Sequence, residues 1–127
     1  MPIKFNIVQK KNPLKDNAII YHAKTISNGS IEFEELLQIL AKKSRLHYVD
    51  CLRVLLLLDE TLKEQLQDGK IVRLGDMGSF QIGASSSSFN EKSKVTAATI
   101  TKPHVNFRAG KSLQKMLKEL EFKMGKR

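Results

Sequence analysis

Two short segments, Arg73-Leu74-Gly75-Asp76-Met77-Gly78-Ser79-Phe80 and Asn106-Phe107-Arg108-Ala109-Gly110-Lys111-Ser112-Leu113, constrain this chain most. The first supplies the small residues of a tight turn and the second a glycine-lysine helix start. The 25 residues between them, Gln81 to Val105, have strand-like ends and a serine-rich, lysine-bearing middle. A tight turn, a long excursion and a return into a glycine-lysine helix start describe a body that holds out a β-arm.

The charge suggests what the arm is held out to. Twenty-two basic against thirteen acidic side chains give a net +9, the balance of a protein with a polyanionic partner. The excess is uneven. Residues 1–28 carry five Lys against one Asp, and residues 70–127 carry twelve basic against four acidic groups. Residues 29–69 are acidic, with five basic and eight acidic side chains. A solvated basic surface that serves only solubility is the plainer alternative.

At 127 residues the chain is most simply one folding unit with a small core. Its apolar share of 41% is lean for a monomer, and a dimer would supply the missing core. The single cysteine, Cys51, excludes an internal disulfide framework and lies in an apolar helical stretch. No run approaches the length of a membrane span, so a soluble cytoplasmic protein is expected.

The pattern along the chain predicts α+β structure. Residues 2–9 alternate, with Ile3, Phe5 and Ile7 on one face, and 18–26 read as a second strand, so 1–28 form a β-hairpin. Ile3, Phe5 and Ile7 are expected to pack on the sheet or the arm base. Ser30 is the expected N-cap of an amphipathic helix over 31–44, with Phe33, Leu36, Leu37 and Leu40 on its apolar stripe. A second helix over 48–68, capped by His47, is apolar on every side from Val54 to Leu58. Such a helix must be buried on two faces, one of them against another subunit. Ile71 to Leu74 form a short strand, Ser79 to Ile82 begin the outgoing arm strand, and Val95 to Val105 return. The last helix spans 111–121.

The order of these elements, with Gly75, Gly78 and Phe80 at the turn and Phe107, Gly110, Lys111 and Leu113 at the return, resembles the bacterial histone-like DNA-binding proteins of the HU/IHF type. The resemblance runs from about Ser30 to Glu121. It implies a helix-turn-helix body, an antiparallel sheet with an extended β-arm and a C-terminal helix, in an intertwined dimer whose arms wrap the DNA minor groove. It divides the chain into a hairpin extension, 1–28, and an HU-like domain, 29–127, with the arm at about 81–105. The extension is similar to that of longer HU-like variants.

Two further departures concern the arm. The family's tip carries a Gly-Arg-Asn-Pro motif whose proline wedges between base pairs, whereas Ala84 to Thr101 hold neither proline nor arginine. The arm is also modestly basic, with Lys92 and Lys94 against Glu91. Phe89 could replace the wedge, pack on its own arm or contact a neighbour.

Double-stranded DNA is the expected partner, met by cations that track phosphates. The candidates are Arg73, Lys92, Lys94, Lys102, Arg108 and Lys111, with Gly110 opening a helix whose free N–H groups can seat a phosphate. The hairpin lysines other than Lys4 could extend that surface. No Arg- or Asn-rich recognition helix points to sequence-specific readout. The expectation is a nucleoid-associated homodimer with little sequence preference. The alternative keeps the same dimeric body as a scaffold whose arms and hairpin bind protein. No enzyme, metal, cofactor, small-molecule substrate or membrane partner is expected. His22, His47 and His104 lack ligand spacing, and Ser85–Ser88 lack a base or a nucleophile elbow.

Overall fold

The computed structural model describes residues 2–125. Two strands open the chain, β1 (Ile3–Asn12) and β2 (Ala18–Thr25), followed by helices α1 (Phe33–Ser44) and α2 (Tyr48–Gln67). The arm sheet comes next, with β3 (Val72–Arg73), β4 (Gly78–Ser86) and β5 (Ile100–Ala109). Helix α3 (Lys111–Lys118) and a short strand β6 (Phe122–Met124) end it.

The strands form two three-stranded sheets, in the orders β2-β1-β6 and β3-β4-β5. β1 pairs antiparallel with β2 and parallel with β6. The hairpin is therefore held by β6, whereas the expectation is packing of Ile3, Phe5 and Ile7 on the sheet or the arm base. Ile3 and Phe5 are half-buried there, but Ile7 is exposed. The sequence reading missed β6 because three residues, Phe122-Lys123-Met124, carry too little pattern to separate from the end of a helix. The last helix accordingly stops at Lys118, short of the expected 121.

The helices follow their sequence signals closely. His47 caps α2, its Nδ1 accepting the Val49 N–H at 3.5 Å. α1 starts at Phe33 rather than 31, with Glu32 at the N-cap. The Ser30 hydroxyl donates to the Glu32 carboxylate at 3.0 Å and leaves the helix end uncapped by a side chain. The outgoing strand that Ser79 to Ile82 begin continues through Ser85 and Ser86. The return strand starts only at Ile100, because 92–94 and 97–99 are 3-10 turns. The second turn is closed by a Thr96/Thr99 capping box.

Only Leu37, Cys51 and Leu66 are buried apolar side chains among the described residues. Leu37 lies on α1, and Cys51 and Leu66 on α2; Leu52, Leu55 and Leu62 of α2 are half-buried, whereas Val54 is 59% and Leu57 53% exposed. The accessible surface is 11575 Å². A compact 14.4 kDa monomer would show about 6,800 Å². The surplus is too large for surface roughness and reflects projecting elements together with an uncovered helical face.

Candidate nucleic-acid interface

Register fixes the two faces of the arm sheet. Arg73 of β3 pairs with Ser79 of β4, which pairs with Arg108 of β5. Directly paired residues share a face, so the two arginines flank Ser79 in one row, about 10 Å apart across two strand spacings. The next row on that face is Gln81 with Asn106, then Gly83 with His104. The other face carries Val72, Phe80 and Phe107, with the two phenylalanine rings 5.0 Å apart. Ile82 and Val105 continue it and border a groove with Leu66 of α2. One face of the sheet thus turns toward the helices and the other is polar and basic.

The two glycine segments lock together beneath the arginine row. Gly78 adopts φ +151°, a region open to glycine alone. A Cβ there would lie 2.5 Å from the Arg108 carbonyl oxygen and 2.7 Å from the Phe107 ring. Gly110 packs on the Asp76 backbone, where a side chain has no room, and its N–H donates to the Met77 carbonyl at 2.9 Å. The Gln114 amide donates to the Ala109 carbonyl at 3.0 Å and ties α3 to the end of β5. Arg73, Arg108, Ser79, Gly75, Gly78 and Gly110 border a shallow concavity of about 260 Å³. No side chain caps α3, so its N-terminal N–H groups and dipole add to the positive field beside Lys111.

The candidate residues fall into three places. Arg73, Arg108 and Gly110 share the concavity, and Lys111 follows at the helix start. Lys102 sits partway along the arm, where two residues of β5, Lys102 and Pro103, oppose Ala84 alone. Lys102 takes φ +52° in this bulge, and the His104 Nδ1 lies 3.1 Å from its carbonyl oxygen. Lys92 and Lys94 lie in the tip turn, roughly 25–30 Å from Arg108 by strand rise. Phe89 is also at the tip and is 43% exposed.

None of these cations is in an ion pair among the described residues. Among the described residues the ion pairs are Lys63–Asp59 at 2.8 Å and Lys70–Asp68 at 3.3 Å, both on or just after α2. The hydrogen bond and charge of Asp59 raise the Lys63 pKa. The polar neighbours Ser79, Gln81 and Asn106 escaped the sequence reading, although their period-two spacing with Arg73 and Arg108 was available as a signal. His22, His47 and His104 lie on β2, before α2 and on β5. Among the described residues no His/Cys/Asp/Glu group is arranged to hold a metal, and no helix is long and apolar enough to cross a membrane.

Comparisons with known proteins agree with this architecture. The family model described as HU-HIG, an HU domain fused to a wHTH, Ig or glycine-rich motif, matches residues 1–124. A crystal structure from Bacteroides vulgatus, provisionally described as a bacterial DNA-binding protein, superposes with a TM-score of 0.70 at 19% identity. That match covers 98% of this chain and 49% of the other, so the chain spans about half the length of that relative. A variant of HU from Thermotoga maritima superposes with a TM-score of 0.51 at 23% identity, covering 68% of this chain and 99% of that one. No curated protein matches the sequence significantly.

Proposed function

Because the chain belongs to the HU-HIG family, in which an HU domain is fused to a wHTH, Ig or glycine-rich motif, we propose that it binds double-stranded DNA as an architectural protein. In this reading a homodimer grips the sugar-phosphate backbone with little sequence preference, within the bacterial nucleoid. The observation that carries it is the Arg73–Ser79–Arg108 row, backed by the interlocked Gly78 turn and Gly110 helix start, with neither arginine in an ion pair among the described residues. Arginines on a polar sheet face can each take a phosphate, while Ser79, Gln81 and Asn106 offer further hydrogen bonds to the backbone. The provisional DNA-binding description of the Bacteroides vulgatus protein points the same way.

The tip does not fit a proline wedge, since none is present between Ala84 and Thr101. Grip through the arm's base and flank then carries most of the affinity. The test is a duplex titration at several salt concentrations. Engagement of several phosphates requires a steep fall in affinity with salt, about 0.9 in log–log slope per phosphate. Absence of binding at low salt, or binding indifferent to salt, would sink the proposal.

The scaffold reading draws on one observation, the unpaired outer edge of β2, which could accept a strand from another protein. Charge reversal at Lys102, Arg108 and Lys111 separates the two. Loss of DNA association in cells supports the architectural role, and unchanged association supports the scaffold.

A further inference from the structure

The β2-β1-β6 sheet sorts most of its lysines to one face, which it shares with Val8 and Ile20. Lys4 lies beside Lys123, and the next pair on the same face is Asn6 with Lys24. Lys10 and His22 continue that face toward the turn. The reverse face holds Phe5 beside Met124, Ile7, Tyr21 and Ile19. The hairpin lysines are therefore sorted by register: Lys11, paired with Ile19, falls on the apolar side.

The nearest acid along the chain is Glu121, just before β6. The three strands contain no acidic residue, and none of these lysines is in an ion pair among the described residues. Like charges set side by side on adjacent strands repel. Lys4, Lys24 and Lys123 are all exposed. The cluster is also tied to the arm: α3 begins at Lys111, beside the arginine row, and leads into β6, with a helical length of only about 12 Å.

We propose that this face is a second DNA-backbone surface, on which Lys4, Lys24 and Lys123 engage phosphates of the duplex held by the arm sheet. The proposal rests on the DNA-binding reading above. Its partner follows from charge complementarity: a polyanion relieves the repulsion on a face where Lys4 lies directly beside Lys123 and diagonal to Lys24. Flexible lysine stems on a sheet suit phosphate tracking, not base readout.

The experiment compares the salt dependence of duplex binding by the full chain, its K4Q/K24Q/K123Q variant and K11Q. The triple variant is expected to keep its circular dichroism spectrum while its log–log salt slope becomes shallower by about 2.7, three phosphates at 0.9 each. K11Q, on the reverse face, is expected to keep the parent slope. A K4R/K24R/K123R variant, which preserves charge, should retain it and guards against a folding defect. A parent slope in the triple glutamine variant overturns this second surface and leaves the arm-based reading intact. So does a K11Q loss as large as the average per lysine of the triple variant, because bulk charge would then explain both. Failure of the parent chain to bind duplex at all overturns the DNA-binding reading and this surface with it.

Discussion

Gly78 is the residue on which the arginine row depends. Its φ of +151° and the 2.5 Å approach of a virtual Cβ to the Arg108 carbonyl leave no conservative replacement. Gly78→Ala should lower stability by about 2–4 kcal/mol, combining backbone strain with a clash against main chain. Urea unfolding checks this, and a loss under about 0.5 kcal/mol would show that the turn relaxes freely. Other residue-scale features were open to inspection in the sequence. The glycines were identifiable as turn formers and His47 as a cap because those roles depend on local backbone geometry. That Glu32 and not Ser30 is the N-cap of α1 shows the limit of local reading, since two polar residues two positions apart compete for the same start.

At the scale of the element, the arm divides into a base and a tip with different parts to play. The base offers Arg73 and Arg108 on one polar face. The tip offers Lys92 and Lys94 on a 3-10 turn. The R73A/R108A pair should make the salt slope of DNA binding shallower by about 1.8, two phosphates at 0.9 each. K92A/K94A should change it by less than about 0.9, one phosphate's worth. An equal or reversed effect would place the main grip at the tip. Between base and tip, the bulge at Lys102 bends β5 and increases the local twist. Pro103 signalled an edge irregularity in the sequence, but the extra residue opposite Ala84 is visible only when both strands are paired.

At the scale of the whole molecule, the shortage of buried apolar side chains governs. Leu37, Cys51 and Leu66 are a slight core for a chain of 127 residues, and the Val54–Leu58 stretch of α2 is largely uncovered. A homodimer that buries this stretch is the proposed remedy. Light scattering should then give twice 14.4 kDa, and the melting temperature should rise with protein concentration, as mass action requires of a folded dimer. V54D/L57D should abolish both behaviours and reduce cooperative unfolding. A monomeric mass with concentration-independent melting in the parent chain would refute the dimer.

The sequence by itself determined the α+β class, both long helices, the two long arm strands, the Gly75–Gly78 turn and the helix start after Gly110. Each of these is encoded by short-range periodicity or by a residue whose backbone freedom is special. Tertiary structure decided which residues share a face. Only strand register sets Ser79 between Arg73 and Arg108, and only the β1–β6 pairing brings Lys123 beside Lys4. Arg108 is 29 residues from Ser79 and Lys123 is 119 from Lys4, and the physical reason is general. Backbone hydrogen bonding across strands creates the juxtaposition, and a one-residue slip would send every side chain to the opposite face.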